Sequence, residues 1–248
     1  RGFGVINMEI QFFLIFFIIF ILSILQSVIG VGILLFGTPT FLILGYSYTD
    51  TLAMLLPASV GISLFQIFGK FDIVRTKSAI LIYTLPMVII SLSVILYFEF
   101  SIDIKKVVGL MLILLGLLRV SSYLKHLLKN IFISNRYFYC VLMGFIHGIS
   151  NMGGGLLVLF MDSMFKLKDE IRINVAFGYL LFGIVQIFVL VIFSIESFNV
   201  MSVVLPFVAI ITYYFLGNRI SSQINENSYQ YVVTFFIFIY GILSFINL

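Results

Sequence analysis

Glycine interrupts the sequence twice, each time inside a stretch that is otherwise apolar enough to form one continuous helix. The stronger interruption covers residues 149–155 and reads ISNMGGG, and a thinner one covers residues 28–33 and reads VIGVGI. A glycine in a helix interior costs roughly 1 kcal/mol relative to alanine, so three in succession predict a break. In a bilayer, broken backbone is stable only where protein or water covers it, because lipid cannot hydrogen-bond to free amides. Two breaks, one in each half of a chain, are typical of membrane proteins with inverted repeats.

The rest of the chain is apolar enough to require a membrane. Of its 248 residues, 62% are hydrophobic and only 10% are charged. A soluble domain cannot hide that much apolar surface, so we expect an all-α polytopic membrane protein in contact with the lipid bilayer. No basic run is long enough to bind nucleic acid, and we expect no such partner. The single cysteine, Cys140, excludes an internal disulfide and a cysteine-cluster metal site.

Apolar segments of two lengths occur along the chain. A bilayer core of about 30 Å needs about 20 helical residues to cross it. Segments that reach or approach this length are 10–29, 51–69, 79–98, 106–123, 173–194, 200–217 and 229–247, and shorter ones are 33–45, 137–150 and 155–165. A short arm beside a glycine break predicts a helical hairpin that dips into the membrane and returns. We therefore expect one hairpin at 10–45 and a second at 137–165.

The positive charges of the loops support this topology. If both hairpins return to the side from which they started, eleven of the fourteen Lys and Arg residues fall on one face. They are Lys70, Arg75, Lys77, Arg119, Lys125, Lys129, Arg136, Lys166, Lys168, Arg172 and Arg219. The positive-inside rule makes this face cytoplasmic and places both termini outside. If each broken region crossed the membrane once, Lys166 and Arg219 would move to the opposite face.

The two halves of the chain repeat one another at an offset of 120 or 121 residues. The matching pairs are Gln66 with Gln186, Pro86 with Pro206, Gly32 with Gly153, and Gln26 with His147. A hairpin plus three crossings makes an odd number of side changes, so the halves should be inverted in the membrane. The predicted units are a first repeat over 1–124, a cytoplasmic linker over 125–136 and a second repeat over 137–248.

The hairpin tips are the first candidate binding site. The second arm of each hairpin begins there, and a helix N-terminus presents unpaired amides and the positive end of its dipole. Such a site binds an anion without a buried Lys or Arg, and neither hairpin contains one. Close helix packing at small residues is the alternative. The residues expected to offer backbone amides are Gly30, Gly32, Asn151, Gly153, Gly154 and Gly155.

Polar side chains in the helices after the hairpins are expected to line the path of the anion. Ser59, Ser63 and Gln66 share one face of segment 51–69. The same face of the second half carries Tyr179, Gly183 and Gln186. Polar residues within a span usually face the bundle interior or an aqueous path, although simple interhelical hydrogen bonds are the alternative. The residues taken as path candidates are Ser59, Gln66, Gln186 and Asn174.

His147 is a titratable group one helical turn before Asn151, which makes it the candidate for proton coupling. A neutral, hydrogen-bonded histidine is the alternative. The chain has no His-Glu-x-x-His, Gly-x-Ser-x-Gly or Walker motif and no aspartate-rich magnesium site, so we expect no enzyme activity, no metal and no cofactor. The tips also lack the Asn-Pro-Ala and Thr-Val-Gly-Tyr-Gly sequences of water and potassium channels.

The residues around both breaks resemble the sulfite exporter TauE/SafE family of membrane anion permeases. The similar stretches are Gly30-Val31-Gly32, Thr38-Pro39, Leu44-Gly45 and residues 151–155. The resemblance implies movement of small organic or sulfur-containing anions, such as sulfite, sulfoacetate and related sulfonates, across a bacterial inner membrane and driven by an ion gradient. Ile33 and Leu34 stand where the family pattern has more glycine, which gives the second hairpin more weight.

Together these patterns predict a secondary transporter built from two inverted repeats. A small anion binds at the midplane between the hairpin tips, and the halves rock around it to give alternating access. The other expected partner of the transporter is a coupling ion, either a proton or sodium. The sequence is compatible with a monomer and with a homo-oligomer. A passive anion channel and a non-transporting membrane assembly factor are the alternatives.

Overall fold

The computed structural model describes residues 8–75, 77–98 and 103–223 and the single positions 231, 235, 239 and 242. All the regular secondary structure in these residues is helical, with no β-strand. The helices are α1 (Met8–Ile29), α2 (Ile33–Ile43), α3 (Tyr48–Ile67), α4 (Ile80–Phe98), α5 (Ile104–Val120), α6 (Ser122–Ser150), α7 (Gly153–Met164), α8 (Lys168–Phe193) and α9 (Val200–Gln223). Apart from those single positions, the expected helix 229–247 lies outside the described residues.

Long apolar helices make up most of the described chain. Among the described residues, α1, α3, α4, α8 and α9 are long and apolar enough to cross a membrane. Many of their large hydrophobic side chains point outward, including Phe17, Ile90, Phe188 and Phe207. Water would not tolerate such a surface, but lipid does. The protein is therefore a polytopic membrane protein, as its composition predicts.

Each glycine break separates a longer helix from a short one that folds back on it. Helices α2 and α7 have 11 and 12 residues, which at about 1.5 Å per residue span roughly half of a bilayer core. Tyr139 of α6 and Phe160 of α7 stack with their ring centroids 5.6 Å apart, whereas a straight helix would separate them by about 30 Å. A methyl group placed on Gly37 of α2 would lie 3.1 Å from Leu22 of α1. Both breaks are thus the turns of helical hairpins.

Two helix boundaries differ from the sequence prediction. The segment 125–136, predicted as a linker, is helical and belongs to α6, and a kink at Asn135 separates it from the hairpin arm. The Asn135 side chain accepts a hydrogen bond from the backbone N–H of Phe138 at 3.3 Å, which starts the arm with a new cap. Helix α8 begins at Lys168 rather than near residue 173, because Asp169 and Glu170 suit the first turn of a helix.

The two hairpins are interleaved with the opposite halves of the chain. The first arm α1 packs against α9, and the first arm α6 packs against α4. Helices α3 and α8, each of which follows a hairpin, pack against one another at the centre, where Gly183 lies against Val60. This arrangement places both breaks inside the bundle, and Ile29, Val31, Asn151 and Met152 are fully buried.

Candidate anion-binding site

Both breaks end their first helix in the same way. Gly30 and Asn151 adopt left-handed backbone conformations, with φ of 84° and 61°. Each N–H donates a 2.8 Å hydrogen bond to the carbonyl four residues earlier, that of Gln26 or His147. This is a common way to close a helix, and glycine and asparagine are the residues that tolerate it best. Gly30 and Asn151 were predicted to offer free amides, and in this structure their own helices use these groups.

The first break is closed further by the side chain of Gln26. Its Oε1 accepts hydrogen bonds from the N–H of Ile33 at 3.1 Å and from the Ser59 hydroxyl at 3.2 Å. Its Nε2 donates to the Ser59 carbonyl at 3.0 Å and to the Ser63 hydroxyl at 3.2 Å. Gln66 Nε2 donates to the Gln26 carbonyl at 3.0 Å. Ser59 and Gln66, predicted to line the path, thus hold Gln26 in place, and Gln26 occupies the N-terminus of α2.

Gly32 also serves this closure. A methyl group placed on it would lie 2.5 Å from the backbone nitrogen of Gln26, so only glycine allows α2 to start so close to α1. Nearby, the buried guanidinium of Arg172 donates from Nη1 to the Ser27 carbonyl at 3.3 Å and to the Ser221 hydroxyl, and it lies 3.4 Å from Asp169. Arg172 was predicted in a loop, but it stabilises the negative C-terminal end of α1.

The second break differs because it buries more polar atoms that lack partners. Four such atoms, with no hydrogen bond in the described part of the chain, are Tyr179 Oη, Gln186 Nε2, His147 Nδ1 and Asn151 Oδ1. All four side chains are completely buried. A buried polar group without a partner costs about 1–3 kcal/mol. Four around one turn of backbone indicate a place where something else supplies the missing partners.

Tyr179 lies directly against the start of α7. A methyl group placed on Gly154 would overlap the Tyr179 hydroxyl, so any other residue there would displace it. The first N–H groups of a helix have no partner within the helix. At the start of α7, the first N–H group with a backbone partner is that of Gly155, which donates to the Met152 carbonyl at 3.1 Å. The N–H groups of Gly153 and Gly154 therefore remain at the tip. A phenolic O–H and these amides thus meet at the positive end of the α7 dipole, an arrangement that favours an anion.

His147 and Gln186 form the other side of the site. His147 Nε2 lies 3.0 Å from Gln186 Oε1. A carbonyl oxygen only accepts hydrogen bonds, so Nε2 carries the proton in this contact. His147 Nδ1 then holds a lone pair, while Gln186 Nε2 keeps two N–H donors. The Phe182 ring packs against the imidazole with a centroid distance of 4.4 Å and helps to fix its orientation.

The two hairpins meet at this site. Asn151 Nδ2 donates a 2.8 Å hydrogen bond to the Thr38 hydroxyl of α2. The first break packs on Val175 of α8, 3.1 Å from a methyl group placed on Gly30, while the second packs on Tyr179. Because Val175 and Tyr179 are one turn apart on α8, the breaks lie within about 6 Å of each other along this helix.

Asn174 is placed differently from the prediction. Its Oδ1 accepts a hydrogen bond from the N–H of Arg75 at 2.9 Å, and its Nδ2 donates to the carbonyls of Ile73 and Glu170 at 3.1 and 2.9 Å. The side chain therefore anchors the loop before α4 to α8 and faces away from the break. Tyr179 was not chosen as a site residue, although the repeat offset aligns it with Ser59.

Comparison with known families places this geometry in context. A family described as sulfite exporter TauE/SafE matches residues 15–244, a range that contains both breaks, the second hairpin and the first hairpin apart from its initial residues. A comparison with curated proteins and one with solved structures found no match.

Proposed function

The chain belongs to the sulfite exporter TauE/SafE family, and we propose that it is a secondary transporter that binds a small anion at its second glycine break. The proposed substrates are sulfite and small sulfonates, and the proposed location is the bacterial inner membrane. The family description supports an exported sulfur oxyanion. The observation that carries the position of the site is the group of buried, unpartnered polar atoms around Asn151.

The donors at this break suit an oxyanion in number. Two helices supply these donors. Helix α7 supplies the N–H groups of Gly153 and Gly154, and α8 supplies the Tyr179 hydroxyl and Gln186 Nε2. A sulfite or sulfonate group has three oxygens, each with lone pairs that accept such bonds. A hydrogen bond to a charged group contributes about 1.5–3 kcal/mol, so several together offset much of the cost of removing the anion from water.

We further propose that His147 carries the coupling proton. Its Nδ1 is a lone pair in the arrangement with Gln186, and a proton that binds there turns the imidazole into a cation beside the anion. An anion and an imidazolium together cross a membrane at lower electrostatic cost than the anion alone. Tyr179 is the titratable neighbour, with its ring centroid 6.2 Å from that of His147.

The movement that we propose is alternating access by two inverted repeats. Residues 1–124 and 137–248 form the two units, and the segment 125–136 connects them on the cytoplasmic side. The shared offset of Gly30 with Asn151 and the matched closure of their helices support the repeat. The Thr38–Asn151 hydrogen bond joins one unit to the other beside the anion, so it is expected to change as the units rock.

Flux in proteoliposomes tests this proposal. Purified protein is reconstituted in zwitterionic lipid, and uptake of ³⁵S-sulfite is measured with and without an imposed pH gradient. Coupled transport predicts uptake that saturates with sulfite and accumulates it on the alkaline side. A current that rises linearly with voltage, without saturation, would show a passive anion channel instead. If neither sulfite nor sulfoacetate moves, the transport proposal is overturned and the assembly role is left.

A further inference from the structure

A second polar site lies at the open end of the second hairpin. A partly open cavity of about 170 Å³ lies there between the loop before α4, the start of the α6 arm and the end of α7. Its lining includes Arg75, Ser78, Tyr83, Arg136, Tyr137 and Phe160, and no carboxylate is among the described residues that line it. We propose that this arginine pocket binds a small dianionic oxyanion and presents it to the transport site at the second break.

Arg136 is held at the wall of the arginine pocket before any ligand binds. The kink at Asn135 places it at the start of the hairpin arm. Its Nη2 donates to the Tyr137 hydroxyl at 2.9 Å, and its guanidinium lies 4.9 Å from the centre of the Tyr137 ring. Tyr137 in turn packs on Tyr83 with a centroid distance of 4.5 Å. A side chain ordered in this way loses less conformational entropy when it binds an anion.

Arg75 reaches the same cavity from the other half of the chain. Asn174 fixes its backbone by accepting from the Arg75 N–H and by donating to Ile73. Glu170 forms an ion pair with Arg75, with 4.0 Å between Oε1 and Nη2, and the Arg75 side chain is 67% exposed. An ion pair this long and this exposed contributes little stability, so it competes weakly with a bound anion.

The chemistry of these groups selects the ligand. A guanidinium offers a planar fork of N–H donors that matches two oxygens of a sulfonate, sulfate or phosphate group. Two arginines and a phenol favour two negative charges over one, as in sulfoacetate. A volume of about 170 Å³ equals five or six waters at about 30 Å³ each, which suits a solute of this size.

The position of the arginine pocket gives it a role. Phe160 lines it and lies six residues after Gly154 on α7, which is about 9 Å along the helix. The loop that carries Arg75 is on the face that the positive-inside rule makes cytoplasmic. This loading role rests on the proposed function, whereas dianion binding itself does not. The same oxyanion chemistry is offered by a free dianion and by a lipid phosphate, and the loading role commits the pocket to the free dianion.

Binding of radiolabelled sulfoacetate to purified protein in phosphatidylcholine nanodiscs tests the pocket. The wild-type chain is expected to bind at two saturable sites. The double variant Arg75→Gln/Arg136→Gln should lose one of them and raise the KM for uptake from the pocket side about a hundredfold, since it removes two charged hydrogen bonds that are each worth a factor of about ten. The matched control Lys166→Gln/Arg219→Gln removes the same charge outside the pocket and should keep both sites.

The outcomes separate this inference from the transport proposal. If the arginine double variant binds and transports like its control, the pocket proposal is overturned. If sulfoacetate still binds at the arginines while no anion is transported, only the transport proposal falls. In a parallel arm, binding is measured in phosphatidylglycerol nanodiscs. If the wild type loses one sulfoacetate site there while the arginine double variant is unchanged, a lipid headgroup occupies the pocket. That result would overturn the assignment of the pocket to a soluble dianion.

Discussion

The first and second breaks close their helices alike, yet they differ in how many buried polar atoms are left without a hydrogen-bond partner. At the first break, Gln26 reaches the N-terminus of α2 and two serines of α3, and the unpartnered atoms left nearby are one acceptor, Gln66 Oε1, and one donor, Arg172 Nε. At the second break, the unpartnered atoms include two donors, Tyr179 Oη and Gln186 Nε2. The second break leaves four unpartnered atoms around one turn of backbone, which makes it the stronger candidate for the binding site.

One substitution between the halves explains much of this difference. Gln26 aligns with His147 at the repeat offset. The flexible amide of Gln26 bends forward to cap Ile33, while the rigid imidazole of His147 turns to Gln186 and leaves the tip of α7 open. We infer that the first hairpin supports the second and that the anion is bound at only one of the two breaks.

Gly154→Leu is expected to have the largest effect on transport, and it tests the difference between the two breaks. The new side chain would displace the Tyr179 hydroxyl and cover the tip of α7, so we expect sulfite uptake to be lost. Size-exclusion chromatography and a thermal melt must show that the protein stays folded. Gly30→Ala serves as a control in the first break. It strains a left-handed residue by about 1–2 kcal/mol and should lower Tm without changing KM. Full uptake by folded Gly154→Leu would remove the tip from the site.

Gln26→Leu tests the scaffold role of the first break. It leaves the Ile33 N–H and the Ser59 and Ser63 hydroxyls without their partner. At about 1 kcal/mol for each, the free energy of unfolding should fall by about 3 kcal/mol, read as a lower Tm in detergent. The KM of the remaining folded protein should stay at the wild-type value. A raised KM with unchanged Tm would instead place the anion at the first break.

Tyr179→Phe removes one hydroxyl from the second break. Because that hydroxyl has no partner in the described chain, Tm should be unchanged or higher, while the Kd for sulfite rises about tenfold or more. Tyr139→Phe is the matched control, since the Tyr139 hydroxyl donates to the Leu156 carbonyl at 2.8 Å. It should lower stability by about 1 kcal/mol and leave Kd unchanged. The reverse pattern would contradict the assignment of the two tyrosines.

His147→Asn removes the titratable group with a side chain too short to cap Gly154 as Gln26 caps Ile33, and it should have the smallest effect on total uptake. If protonated His147 stabilises the bound anion, wild-type affinity for sulfite increases as pH falls. In His147→Asn this dependence should disappear, beyond the part that sulfite's own protonation causes, while uptake driven by the sulfite gradient persists. Kd measured at several pH values, with sulfoacetate as a ligand of constant charge, checks this. An unchanged pH profile in the variant would exclude His147 as the proton carrier.

Sequence alone predicts the hairpins well because their causes are local. The lengths of the apolar arms and the cost of successive glycines both act within a few residues, and they locate the breaks at Gly30 and Gly153. The function of individual side chains depended on which helices pack together. Nothing local in the sequence shows that Asn174 faces the Arg75 loop, or that Tyr179 lies on Gly154, because both contacts depend on how α8 packs.

The pairing of the halves gave a partial signal for the site. The offset that aligns Gln66 with Gln186 also aligns Ser59 with Tyr179, so the change from serine to tyrosine marks the second half as different. Arg172 shows the limit of this reasoning. Its charge suggests a loop, yet it is buried against the Ser27 carbonyl, because the C-terminal end of a broken helix attracts a cation.

Anomalous diffraction from crystals soaked in selenite, a heavier analogue of sulfite, tests the central claim most directly. If the anion binds at the second break, a selenium peak is expected beside the Gly154 N–H and the Tyr179 hydroxyl, with no peak at the first break and a weaker peak in Tyr179→Phe crystals. A peak beside Gly30 and Gln26, or none at the second break under conditions that saturate uptake, would contradict it.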